Sequence, residues 1–157
     1  MANVTGDVRT YGVVAFPSTE KLLVWFIPST PAIGSGVVLP LRKESVEPSA
    51  NGTFIKGLIA TTELTPDCWY TVRFEWFEKH PFKDAWNLKG WSDLPGQLRV
   101  PPEGGDISAL IHVDPSGPLI PLYFGHGLPP SWLPSGGVYY DLDDAEGAGV
   151  YSEGQVV

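Results

Sequence analysis

Three histidines, one cysteine and one run of carboxylates are the side chains in these 157 residues with the reactivity for catalysis or metal binding. His80, His112 and His126 are scattered along the chain, and none has a cysteine or carboxylate at a recurring ligand spacing. His80, beside Pro81, reads as a solvated turn residue. Ser35 in Ile33-Gly34-Ser35-Gly36 lacks the Gly-x-Ser-x-Gly spacing that strains a nucleophilic serine onto a sharp turn. No glycine-rich segment is followed by the lysine of a phosphate cradle. Cys68 precedes Trp69 at a strand entry and reads as a small core residue rather than a nucleophile. The expectation is a protein without catalytic residues or a cofactor.

The one ion-like cluster is Asp141-Leu142-Asp143-Asp144-Ala145-Glu146-Gly147. Asp141, Asp143, Asp144 and Glu146 are oxygen donors of the kind a hard cation takes, but the fifth position is Ala145 and no distal glutamate completes a twelve-residue calcium loop. A solvated acidic turn fits better, and a basic partner surface would relieve its repulsion. Six tryptophans suggest ligand stacking. Trp25 sits in a strand apolar on both faces and Trp76 opposite in face to Trp69 on its strand, and both Trp25 and Trp76 are expected in the core. Trp86 and Trp91, flanked by Lys83, Asp84, Asn87 and Lys89, form the best candidate patch for carbohydrate or protein. Tyr123, Phe124, Trp132, Tyr139 and Tyr140 are further interface candidates.

The elements that must position these residues are strands. Gly 18 and Pro 16 punctuate the chain too densely for helices. In Trp69 to Phe77, Tyr70, Val72, Phe74 and Trp76 alternate with Thr71, Arg73 and Glu75, a two-residue period that buries one face. Leu22 to Ile27 is apolar on both faces, like a covered central strand. Val4 to Val14 is expected as a first strand with a turn or bulge, and Val37–Leu41 and Ser45–Glu47 as short strands. Asn51-Gly52 makes a tight turn into Thr53–Ile59, and Asn87–Ser92 and Gln97–Val100 follow. About seven strands at this spacing predict an all-β sandwich of the immunoglobulin or transthyretin general type.

All ten Lys and Arg lie within residues 1–99 together with ten acids, whereas residues 100–157 carry eight acids and no base, so the whole net charge of −8 sits in the last third. That segment is also rich in Gly and Pro. The composition predicts a sandwich domain over residues 1–111 and an acidic, extended C-terminal arm over 112–157. Leu119–Phe124 and Gly137–Leu142 have strand-like residues but are too short to fold alone. The arm is expected to be ordered by a contact, with a neighbouring chain preferred over its own sandwich. The acidic balance disfavours nucleic acid. The longest apolar run is far below the roughly 20 residues of a membrane helix, and no secretory leader is evident, so a soluble protein made in the cytoplasm is expected.

Val4-Thr5-Gly6, Asn51-Gly52-Thr53-Phe54, Thr65-Pro66 before Tyr70-Thr71-Val72, and Leu98-Arg99-Val100-Pro101 leading to Asp106-Ile107-Ser108-Ala109-Leu110-Ile111 follow one another in an order that resembles a β-sandwich of small minor tail and baseplate proteins of tailed bacteriophages, particularly those infecting actinobacteria. The resemblance spans about residues 4–111. Gly136-Gly137-Val138-Tyr139-Tyr140-Asp141-Leu142 and Gly149-Val150-Tyr151 look like the short segments by which such proteins engage neighbouring chains. It implies a virion structural protein of the tail, made in the host cytoplasm, with other tail proteins as partners and a threefold or sixfold symmetric arrangement. The resemblance brings no active site. Two other readings stay open: a carbohydrate-binding module or receptor-binding accessory protein, and a capsid decoration protein.

Overall fold

A computed structural model describes residues 1–13, 20–113, 122–133, 137–143, 150–152 and 155–156. The protein is all-β. In chain order the strands are β1 (Ala2–Asp7), β2 (Glu20–Pro28), β3 (Ala32–Gly34), β4 (Val37–Leu39), β5 (Glu44–Val46), β6 (Thr53–Leu58), β7 (Tyr70–Lys79), β8 (Trp86–Asp93), β9 (Gln97–Leu98), β10 (Gly105–Asp106), β11 (Ile111–His112), β12 (Leu122–Gly125), β13 (Val138–Asp141), β14 (Val150–Ser152) and β15 (Gln155–Val156). The one α-helical turn among the described residues, α1 (Ile107–Leu110), is capped by the Asp106 carboxylate, which accepts from the Ser108 amide at 2.9 Å.

Two sheets carry the sandwich. The small one has the order β10-β1-β6. The large one is organised on β7, which pairs with β2 along nine residues on one edge and with β8 and β9 on the other. β5 continues it beyond β2. The alternation along β7 acts as expected: Tyr70, Val72, Phe74 and Trp76 turn inward and are buried. On β2 the inward set is Leu22, Val24 and Phe26, whereas Leu23, Trp25 and Ile27 on the other face are only half-buried. That second face is partly covered by local contacts, such as the Lys43 ammonium over the Trp25 ring at 4.0 Å. The two layers meet where Phe26 stands edge-on to Phe54 of β6, centroids 6.2 Å apart, with Val4 and Leu58 beside them. Each such fully buried side chain contributes about 2 kcal/mol. Tyr70 keeps its hydroxyl inside by donating to the Ile59 carbonyl at 3.1 Å, and burial pushes its pKa up to about 12.

One local expectation is narrowed and one is corrected. In the first segment it is a turn, not a bulge, that ends the strand: β1 stops at Asp7, whose carboxylate caps a 3-10 turn over Val8–Tyr11, and Gly12 closes it at φ 87°. The C-terminal segment is not an extended arm over its described residues. β12 pairs antiparallel with β8, β13 runs parallel to β12, and β14 and β15 extend the same sheet. β12 and β13 therefore continue the chain's own large sheet. The reason lies in the connection between β12 and β13, which places Trp132 edge-on against Trp76 at 4.9 Å and 90°. Trp76, Tyr123, Trp132 and Tyr139 together close the inner face of the β8–β12–β13 half. No helix among the described residues is long and apolar enough to cross a membrane.

Candidate functional site

The strands that continue the large sheet put three aromatic side chains in cross-strand register on its outer face. Trp91 of β8 lies opposite Phe124 of β12, which lies opposite Tyr140 of β13. Their rings stack in sequence: Trp91 on Phe124 at 5.6 Å and 21°, Phe124 on Tyr140 at 5.4 Å and 15°. Two six-membered rings that close and that parallel cannot lie flat side by side, because their edge hydrogens would collide. They stand upright and overlap in offset stacks, each pair adding about 1 kcal/mol beyond area burial. The ladder thus shows ring edges to solvent.

Further apolar side chains surround it. Leu122 is 38% exposed, Tyr140 37% and Leu142 47%. Leu88 and Trp86 join the same face because of a bulge between Trp76 and Phe77. Gly90 pairs with Trp76 and Leu88 with Phe77, so Lys89 is the extra residue and the pleat of β8 resets. Without the bulge, Leu88 and Trp86 would not share the face of Trp91. Next to the ladder, Glu75 of β7 lies opposite Trp91 and is buried, while Arg73 holds Asp93 through two bonds of 2.6 and 3.0 Å. The Asp93 hydrogen bond is the main reason the Arg73 pKa is raised, so this guanidinium is a fixed charge at the rim.

Two glycines hold the platform together from beneath. Gly90 and Gly125 are register partners on the inner face. A Cβ on Gly90 would overlap the Trp76 ring and the Phe124 carbonyl oxygen, and one on Gly125 would stand 2.5 Å from the Tyr139 hydroxyl. The aromatic rings occupy the space that side chains would take. The Ser92 hydroxyl adds a bond to the Leu122 carbonyl at 2.7 Å, tying β8 to β12.

Of the interface candidates, Trp86, Trp91, Phe124 and Tyr140 share this outer face. Tyr123, Trp132 and Tyr139 do not: all three are buried in the core, and burial raises the Tyr123 pKa. Their assignment to a surface is corrected: for Tyr123 and Tyr139, strands of four residues do not reveal from composition which parity points inward, and Trp132 sits in the connection between β12 and β13 that folds back onto Trp76. The carboxylate cluster also divides. Asp141 is occupied by the Gly127 and Asp143 amides, both at 2.9 Å, and Asp143 meets His126 Nδ1 at 2.8 Å. Asp144 and Glu146 lie outside the described residues. Among the described residues, no three metal-ligating side chains converge. His80 accepts from the Phe82 amide at 3.1 Å within its turn. Cys68 is buried, and burial raises its pKa.

The members of this candidate face missed by sequence reasoning are Leu88, Leu122 and Leu142, together with the two glycines that seat the ladder. Gly90 directly before Trp91 and Gly125 directly after Phe124 were the only local signals. No family model matches this chain, and no curated protein matches it significantly.

Proposed function

We propose that this protein is a non-catalytic structural subunit of a phage tail or baseplate, joined to neighbouring tail proteins through the outer face of β8, β12 and β13. The observation that carries the reading is the sheet's apolar character on both sides. The inner face is filled by Trp76, Tyr123 and Tyr139, and the outer one carries a rigid ring ladder with exposed Leu88, Leu122 and Leu142. Contiguous apolar surface of this kind on a folded domain marks an interaction site. Upright aromatic rings lose little conformational freedom on docking, which suits them to anchor an interface. The net charge of −8 fits a partner with a basic rim and disfavours nucleic acid. The resemblance of residues 4–111 to minor tail proteins supplies the location, the virion tail after synthesis in the host cytoplasm, and a symmetric multi-copy arrangement.

The ladder geometry favours protein over sugar at this face. Glycan stacking needs an open ring face, and here Phe124 spends both of its faces on Trp91 and Tyr140. The reading is tested by separating tails from filled heads in a gradient-purified phage lysate and quantifying the chain by mass spectrometry. It is expected in the tail fraction at fixed stoichiometry. Its appearance on heads would make it a decoration protein, and its absence from both would end the assembly reading.

A further inference from the structure

The two ends of the sandwich carry complementary features, a projecting aromatic ring at one and an apolar cavity at the other. We infer that copies of this chain join end to end, with Phe82 of one copy seated in the cavity of the next. Such a contact supplies the multi-copy part of the assembly reading, on which it rests, and leaves the ladder free for a different neighbour.

The projecting end is the turn between β7 and β8, residues 80–85. Phe82 within it is 90% exposed, more than any other large apolar side chain among the described residues. The turn holds it in place. The Phe82 amide donates to His80 Nδ1 at 3.1 Å, the His80 amide donates to the Ala85 carbonyl at 2.9 Å, and the His80 and Phe82 rings stand 6.2 Å apart. A ring already fixed by its own turn loses little freedom on docking. Lys79 and Lys83 flank it in the chain, and neither pairs with an acid among the described residues.

The receiving end follows from the register of β2 on β7, which runs from Glu20 opposite Glu78, beside this turn, to Pro28 opposite Tyr70, about 27 Å along the strand. There the Tyr70 hydroxyl reaches the Ile59 carbonyl, and Ile59 lines a cavity of about 270 Å³ with Ala2, Val37, Ala60 and Leu64. An apolar cavity of about 150 Å³ already holds a benzene ring, so a phenylalanine side chain fits. The outer wall is the β3–β4 hairpin, and it is fixed. Ile33 exchanges two backbone bonds with Thr65 at 2.9 and 2.8 Å, and a Cβ on Gly34 would stand 2.5 Å from the Glu63 carbonyl oxygen. Glu63 on the rim accepts from the Ser35 hydroxyl at 3.3 Å. Like Glu103, next to Pro102 of the same rim, it pairs with no base among the described residues. Two unpaired lysines thus flank the ring and two unpaired glutamates flank its cavity, which an end-to-end approach brings together. A partner of other origin would use only one of these halves, whereas a second copy uses both. Contacts between unlike surfaces of identical chains propagate, and they close into a ring where the rotation allows.

Sedimentation velocity of the purified chain, from about 10 μM to about 1 mM, reads the contact directly. The parent is expected to associate with a midpoint of roughly 100 μM, in the range of a small interface with one anchor. Phe82→Asp should weaken association by about thirtyfold or more, the loss of one buried phenylalanine. It should still melt within about 2 °C of the parent, because the side chain it replaces is already in water. Val37→Glu, which puts a carboxylate in the cavity wall, should weaken association as much; Ala60→Leu, which fills the same cavity, takes its place if it does not fold. Each variant keeps the half that the other lacks, so an equimolar mixture of the Phe82 variant and the cavity variant should form 1:1 dimers and nothing larger. Tyr140→Arg should associate like the parent. The proposal is overturned if the parent stays monomeric to about 1 mM, which would give Phe82 to a different partner. It is overturned equally if Phe82→Asp associates as the parent does, or if the mixture of folded variants stays monomeric or grows beyond dimers. Loss of association in Tyr140→Arg would place the contact on the ladder and overturn it too.

Discussion

Gly90→Ala unfolds at a temperature about 10 °C below the parent chain, corresponding to roughly 3 kcal/mol, when the two are compared by circular dichroism. The single added methyl has nowhere to go. Its position overlaps the indole of Trp76 on one side and the Phe124 carbonyl on the other, and Trp76 Cε2 stands only 2.8 Å away. Trp76 cannot yield, because it is pinned edge-on by Trp132 at 4.9 Å. The backbone of β12 must therefore move off β8, breaking the Phe124–Trp91 pairing and the ladder above it. Gly57→Ala is the control. The nearest atom its Cβ would meet is Met1 Sδ at 3.5 Å, an ordinary contact, so its melting temperature should stay within about 2 °C of the parent. Equal losses for the two variants would mean that Gly90 is an unremarkable strand glycine and that the ladder is not seated as described.

Tyr140→Arg separates folding from assembly. Tyr140 is the outer ring of the ladder and is 37% exposed, so its loss removes one stacked pair and leaves Trp91 on Phe124. The isolated chain should lose only about 1 kcal/mol. In an interface, the new guanidinium would be an unpaired charge removed from water, a penalty of about 3–5 kcal/mol, which is a drop in affinity of at least a hundredfold. Purified tails made with this variant should lack the subunit or fail to form, whereas Ile55→Arg should be incorporated normally. Ile55 is 67% exposed but lies on β6 of the small sheet, away from the ladder. Normal incorporation of Tyr140→Arg would remove the outer face from the assembly reading.

The contrast between β7 and the C-terminal strands shows how far residue order alone reaches. Seven residues of clean alternation, Tyr70 to Trp76, fixed which side of β7 is buried, and the Asn51-Gly52 turn fixed the start of β6. The four residues of β12 and of β13 hold too little periodicity for that. Their inward parity is decided by where Trp132 docks, a contact between residues 56 positions apart in the chain, Trp76 and Trp132. The arm looked partner-dependent for the same reason: its apolar side chains were visible, but the surface of β8 that receives them was not. On β8 itself, the extra residue Lys89 reverses the expected alternation and moves Leu88 onto the face of Trp91. A bulge of that kind answers to Trp76 and Gly90 packing across strands, which no local pattern records. Trp86 and Trp91 read as surface aromatics from their polar flanks, but Phe124 and Tyr140 are not distinguishable in sequence from the buried Tyr123 and Tyr139, and the common face of all four depends on this pairing.

In an assembled tail, the outer face of β8, β12 and β13 is expected to be covered by another protein chain. Cryo-electron microscopy of intact particles, at a resolution that shows side chains, measures this directly. Density from a neighbouring subunit packed over Trp91, Phe124 and Tyr140, with basic side chains at its rim, is the expected result. A subunit found in the particle with those three rings facing open solvent would contradict it.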